Sequence, residues 1–207
     1  MGLSAEQLNA SLDALAAREP AFAAGLARAG YPEPRLRERG YETLLRTIIG
    51  QQVSVAAAQS IWNKLAVAVG DLTDPVVVAA ASDEALRGAG LSRQKVSYAR
   101  SLADEVTSGR LDLANLPADD EEAIAALVRV NGIGRWSAEI YLLFAEGRGD
   151  MWPAGDLAVQ AEIGRMLGLD ARPTEKALRA LAEPWRPHRG AAAIFAWHHY
   201  KVDMAVI

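Results

Sequence analysis

The sequence contains no cysteine. That excludes a disulfide framework, a zinc site built on thiolates and an iron–sulfur cluster held by cysteines. It also lacks any apolar run approaching the length of a membrane span, and no secretory signal opens it. A cytoplasmic protein without membrane contact is therefore expected. Sustained alternation of period two is missing, so no sheet is predicted. A surplus of positive charge is missing too. The 207 residues hold 22 Lys and Arg against 26 Asp and Glu, a formal net charge of −4. A nucleic-acid binder ordinarily carries a basic footprint, and this chain as a whole has none.

What is present begins with apolar content, 51% of positions, enough to bury a substantial core as one domain or two small lobes. Positive charge is concentrated locally. Between Ala85 and Ala103 lie Arg87, Arg93, Lys95 and Arg100 with no acidic residue. A second basic stretch, Lys176, Arg179, Arg186 and Arg189, is interrupted by Glu183. Such patches can serve DNA on an acidic protein, in a salt-sensitive way, or can be ordinary solvated helix faces.

Helix signals recur along the chain. Ser4 and Gln7 form a capping-box pattern opening a helix to about Ala17. Pro20 starts a second, ended by Gly30-Tyr-Pro-Glu-Pro34. Tyr41 to Ile49 reads as a buried helix, broken by Gly50-Gln51-Gln52. Ser54 caps the next, to Val69, and Gly70 to Pro75 is a turn. Ser82 and Ser92 cap two more, and Asp119 to Glu122 supply negative charge at another helix start. Beyond Asp156 a helix runs to Gly168, Thr174 starts one that Pro184 stops, and the last runs from about Arg189 to Val202. The prediction is an all-α chain of about ten helices.

Its centre is Leu127 to Gln160. Ile124, Leu127 and Val128 share one helix face, and Trp136, Ile140, Leu143 and Phe144 share another. Between them, Asn131-Gly132-Ile133-Gly134 reverses the chain, with glycines where positive φ or close backbone approach is needed. A helix–hairpin–helix results. Successive backbone N–H groups there can hold a phosphate, with Arg135 adding charge and Ser137 a hydroxyl. A plain αα-corner explains the same pattern.

The stretch from Leu127 to Phe144, followed by the loop Met151-Trp-Pro153-Ala-Gly155-Asp156, resembles the helix-hairpin-helix superfamily of DNA glycosylases. The branch it most resembles is that of the 3-methyladenine DNA glycosylase II type. The resemblance runs from about residue 40 to the C-terminus. It implies two helical lobes with a cleft between them. Residues 41–148 would form the lobe with the helix-hairpin-helix at 124–146; residues 1–40 plus 149–207 would form the lobe with the aspartate. The bacterial type member has an additional N-terminal β-rich domain for which this chain is too short, so a minimal catalytic module is expected.

The resemblance makes Asp156 the catalytic residue. A separate physical case exists: breaking an N-glycosidic bond develops positive charge on the sugar, and a carboxylate stabilises it and can orient water. An aspartate before Leu157-Ala-Val is also a common N-cap, and the two roles are compatible. Trp136 and Trp197 match base-cup positions, suited to a flat cationic base by stacking and cation–π attraction; singly, each would more often be a core aromatic. Where the type enzyme has a tyrosine stands Ile140, with Tyr141 beside it. Superfamily members that also cut the backbone carry a lysine at position 136. Tryptophan there implies a glycosylase that uses water as its nucleophile.

Gln52, in the break after Gly50, would be the wedge filling the gap left by a flipped base; a polar helix junction is the plainer reading. The superfamily's hairpin commonly holds a monovalent cation, Na⁺ or K⁺, here on the backbone carbonyls of Val128, Val130 and Ile133. Otherwise no cofactor is expected, and several relatives' iron–sulfur cluster is ruled out. His188, His198 and His199 read as structural or surface residues. The expected partner is double-stranded DNA containing damaged bases, met by a monomer at the bacterial nucleoid. The expected function is excision of alkylated purines such as 3-methyladenine or 7-methylguanine. The rival reading is a non-catalytic helix-hairpin-helix DNA-binding module. Adenine removal from oxidative mispairs is disfavoured by the missing cysteines.

Overall fold

The structure, a computed structural model, describes residues 2–204. Among these residues there are twelve α-helices and no strand. They are α1 (Ala5–Ala16), α2 (Pro20–Ala29), α3 (Tyr41–Gly50), α4 (Val55–Val69), α5 (Pro75–Ala80), α6 (Asp83–Gly88), α7 (Arg93–Thr107), α8 (Asp120–Leu127), α9 (Arg135–Tyr141), α10 (Leu157–Met166), α11 (Glu175–Leu181) and α12 (Arg189–Met204). A π turn, Leu142–Glu146, follows α9, and a 3₁₀ turn, Glu183–Trp185, follows α11. No helix among the described residues is long and apolar enough to cross a membrane.

The all-helical prediction holds, and most helix starts fall where short polar side chains stand. Ser4 accepts the Gln7 N–H while the Gln7 side chain accepts the Ser4 N–H. Ser54, Ser82, Ser92, Asp119 and Thr174 each accept the N–H three residues on. Each such bond satisfies a donor that the helix itself leaves over, and contributes roughly 1 kcal/mol. One helix was not expected. Asp74 caps α5 through the Val76 N–H, and Pro75 occupies its first turn. The β-branched run Val76-Val-Val78 disguises it, because such residues are poor helix formers.

The chain divides into two compact units, Glu38–Tyr141 and the combination of Met1–Arg37 with Leu142–Ile207. In the first, α3 packs on α4, α7 and α9, and α5 lies along α7. Leu44, Leu45 and Ile48 of α3 are fully buried, as are Ala99 and Leu102 of α7. In the second, α12 packs on α1, α2 and α10. Its core is an aromatic spine: Trp152 meets Trp185 edge-on at 5.7 Å, Trp185 meets Phe22 at 5.1 Å, and Phe22 meets Phe195 at 5.9 Å. The first two are edge-to-face pairs, which add to their area burial.

The helix after the hairpin does not run regularly to Phe144 as predicted. It changes to π geometry at Leu142. The Leu142 carbonyl accepts the Arg148 N–H at 3.0 Å, and the Phe144 carbonyl accepts the Arg37 N–H at 3.0 Å. The irregular turn leaves these carbonyls to partners outside the regular ladder, Arg148 just beyond it and Arg37 far off in sequence.

Gly132 has φ +86°, and a Cβ there would stand 2.2 Å from the Tyr98 ring of α7. Both constraints demand glycine. Gly132→Ala should therefore lose at least ~2 kcal/mol of stability in urea unfolding, from combined φ strain and overpacking. A loss under half that would mean the hairpin relaxes freely.

Candidate functional site

In the unit that contains it, Asp156 is the N-cap of α10. Its Oδ1 accepts the N–H groups of Ala158 at 2.9 Å and Val159 at 3.0 Å. The same oxygen accepts the indole N–H of Trp197, from α12, at 3.2 Å. Three donors on one oxygen fix the carboxylate's rotation, and charge-assisted bonds of this type are the stronger ones. Both side chains remain partly exposed, so a reacting group can approach them.

The loop leading to Asp156 is held from behind. The buried Gln160 amide donates to the Ala154 carbonyl at 2.7 Å, and the Arg179 guanidinium donates to the Trp152 carbonyl at 3.3 Å. The Asp156 N–H closes a turn on the Pro153 carbonyl at 2.9 Å. Further along α10, Glu162 is buried against His199, with Nδ1 2.5 Å from Oε1, and beside Arg165. This satisfies a buried carboxylate within the core. It accords with a structural reading of His199. No group of three His, Cys, Asp or Glu side chains able to hold a metal occurs among the described residues.

The Trp197 ring has two further neighbours that sequence reading did not find. Phe144 lies against it with centroids 5.7 Å apart and planes 35° apart. The Arg35 guanidinium lies over it at 5.9 Å, and that of Arg37 lies over Phe144 at 5.8 Å. Burial, then the neighbouring charge of Arg35, lowers the Arg37 pKa from its ordinary value. The alternation Arg35-Leu-Arg37-Glu-Arg39 after two prolines was the available signal.

In the other unit the hairpin is anchored on three sides. Gln51 Nε2 donates to the Gly132 carbonyl at 2.8 Å, Ser101 Oγ accepts the Asn131 N–H at 2.9 Å, and Ile133 is buried. Lys95 Nζ ties the end of α3 to α7 through the Ile49 carbonyl at 2.7 Å. So Gln51 is the hairpin's tether, a role that its pairing with Gln52 in sequence did not reveal. Gln52 itself is exposed and holds φ +55°, the positive-φ non-glycine among the described residues. Strain of this kind tends to persist where a side chain must be aimed.

Gly134 differs from Gly132. It is exposed, and a Cβ would meet nothing within 4 Å. Packing within the protein does not require glycine there; an approaching backbone or phosphate would. Gly134 also provides no side chain to cap α9, whose first N–H groups have no intrahelical acceptor. Trp136, in that first turn, is 46% exposed.

The structure gives the expected site residues of this helix partners and burial that the sequence did not show. Arg135, expected to add charge at the hairpin, is ion-paired: both terminal nitrogens donate to Glu121, at 2.8 and 2.5 Å, and Nε donates to Glu139 at 3.0 Å. These bonds, Glu121's foremost, raise its pKa further. Ser137 is buried, which argues against a hydroxyl offered to a phosphate. Tyr141 is 2% exposed, and its hydroxyl accepts the Gly40 N–H at 2.8 Å, so it packs this unit's core rather than presenting a ring. Ile140 is nearly as buried.

Comparison with known proteins agrees with this geometry. The sequence profile of the HhH-GPD superfamily base excision DNA repair proteins matches residues 45–187. A Bacillus subtilis relative described as a putative DNA-3-methyladenine glycosylase, YfjP, is 27% identical over 165 residues, covering 76% of this chain and 58% of its own length. The chain thus spans little more than half of that relative. Among solved structures, DNA-3-methyladenine glycosidase from Bacillus halodurans superposes with a TM-score of 0.86 at 28% identity, covering 94% of this chain and 91% of that one. The Schizosaccharomyces pombe 3-methyladenine DNA glycosylase Mag1, in complex with abasic DNA, gives 0.77 at 26% identity, covering 94% and 96%. With the helix–hairpin–helix, the glycine–proline loop and its aspartate all in place, the chain belongs to the HhH-GPD superfamily of base excision DNA repair proteins.

Proposed function

We propose that the protein is a monofunctional DNA glycosylase that removes alkylated purines from duplex DNA and leaves an abasic site. The observation that carries this reading is the partly exposed Asp156 carboxylate, locked by its own helix and by the Trp197 indole. In the reaction the C1′–N9 bond breaks and its electron pair leaves with the base. Asp156 stabilises the positive charge left on the sugar, water adds to C1′, and the proton released passes to the carboxylate or to solvent. An alkylated base is already cationic and departs neutral, so no acid need protonate it. Trp136 stands where a lyase would need an amine, and an indole forms no Schiff base.

Trp136 and Trp197 are the proposed base-binding rings, the backbone N–H groups around Gly132 and Gly134 the phosphate anchor, and Gln52 the wedge. Arg135, with two carboxylates on it, serves chiefly to brace α8 against α9. A monovalent cation at the hairpin fits the donors available. The carbonyls of Val128, Val130 and Ile133 are hard oxygens suited to Na⁺ or K⁺. Val130 spends one lone pair on the Ile133 N–H at 3.0 Å and keeps another. When bound, the ion supplies positive charge next to a phosphate. The protein is proposed to act as a monomer on damaged duplex DNA in the cytoplasm. A non-catalytic hairpin module would account for Gly132 and Gly134, but not for Asp156 held by Trp197.

Asp156→Asn keeps a good N-cap, so the fold should lose less than ~1 kcal/mol. Release of methylpurines from methylated duplex DNA should nonetheless fall about 100-fold or more. Undiminished release would remove Asp156 from the chemistry, and binding without release by the wild type would favour the non-catalytic module. Gln52→Gly relieves the φ strain and should leave stability within about 1 kcal/mol of wild type. It should slow release from duplex DNA about tenfold while sparing single-stranded substrate, which needs no wedge. Equal slowing on both would refute the wedge.

A further inference from the structure

The segment between α2 and α3 places a positive charge on the ring that holds Asp156. Its backbone is pinned, since the Arg37 N–H donates to the Phe144 carbonyl at 3.0 Å. Gly2 packs close behind, where a Cβ would stand 2.9 Å from the Arg35 carbonyl oxygen. From this support the Arg35 guanidinium extends over Trp197 at 5.9 Å. The indole N–H, on the ring's edge, donates to Asp156 Oδ1. Cation, indole and carboxylate thus form one connected arrangement. Among the described residues no carboxylate pairs with Arg35, so its charge is uncompensated there.

We infer that Arg35 is a specificity-determining residue that extends base release from cationic alkylpurines to neutral purines. The inference rests on the glycosylase reading, with the base stacked on Trp197. An indole face alone favours cations. A guanidinium beside the same face repels a cationic base and attracts an anionic one. The two substrate classes differ in this respect. When C1′–N9 breaks in a 7-methylguanine nucleotide, the electron pair neutralises a ring that was positive. When it breaks in a hypoxanthine nucleotide, a neutral ring takes the pair and becomes negative. The charge on the base changes by one negative unit in both cases, so Arg35 favours bond breaking in either base once it is seated. For the cationic base that gain is offset by the repulsion met on entering the site, and only the neutral base keeps it, measured from duplex DNA. Asp156 stabilises the sugar cation in both.

The geometry allows it. Stacked layers need about 3.5 Å each, so a flat base between indole and guanidinium requires Arg35 to move outward by about 1 Å. Its side chain is exposed and can do so without disturbing the core. Arg37, over Phe144, keeps the local potential positive as it moves.

The test is single-turnover base release from two defined duplexes, one carrying 7-methylguanine and one carrying hypoxanthine. Wild type, Arg35→Gln and Arg35→Lys are compared. Wild type should release both bases. Arg35→Gln should lower the hypoxanthine to 7-methylguanine rate ratio by about tenfold, and Arg35→Lys, which keeps the charge, should restore most of that ratio. An unchanged ratio in Arg35→Gln, equal loss on both duplexes, or release of only the cationic base by wild type overturns the role of Arg35 and leaves the glycosylase standing. Release of neither base by wild type overturns both.

Discussion

Three N–H groups converge on one oxygen of Asp156, two from the first turn of α10 and one from Trp197 on α12. The first two are an ordinary helix cap. The third is not, because it joins elements distant in sequence and fixes how the carboxylate is turned. Around that bond the unit is arranged: Gln160 and Arg179 hold the approaching loop, the aromatic spine seats α12, and Phe144 and Arg35 hold the indole plane. A carboxylate that needs no reorganisation when a positive sugar forms beside it is worth more than a mobile one. On the proposed reaction, stability and chemistry use the same bonds.

Much of the helix layout was legible because its causes are local. Ser54, Ser92 and Thr174 cap helices by reaching three residues ahead, and such a reach is visible in a sequence window. The unread parts have distant causes. The π turn at Leu142 goes with the Arg37 N–H on the Phe144 carbonyl, and nothing near Leu142 announces it. Gly132 could be recognised as a turn glycine, but its deeper reason is the Tyr98 ring from α7. Within the candidate site, the cap role of Asp156 was legible from the apolar helix that follows it, and its candidacy for catalysis from the family resemblance. The indole on its oxygen and the guanidinium over the indole were not, since both come from residues remote in the chain. The ion pairs of Arg135 were hidden for a related reason: Glu121 lies on α8, on the far side of the turn, and its pairing with Arg135 follows only from the folded hairpin.

The acidic net charge becomes less of an obstacle in this light. Many carboxylates are matched locally, as Asp150 is by Arg186 and Arg189, and Asp83 by Arg100. Arg35, by contrast, has no such partner among the described residues. Local potential, rather than the chain's sum, decides what an exposed patch attracts.

The central claim is that the Trp197 N–H orients Asp156 for bond cleavage. Trp197→Phe keeps an aromatic face and removes that donor. Single-turnover release of 7-methylguanine at saturating enzyme would isolate the chemical step from DNA binding. The account predicts a cleavage rate lower by about tenfold, the loss of one charge-assisted bond, with DNA affinity little changed. An unchanged cleavage rate with weakened binding would contradict it and reduce Trp197 to a stacking surface.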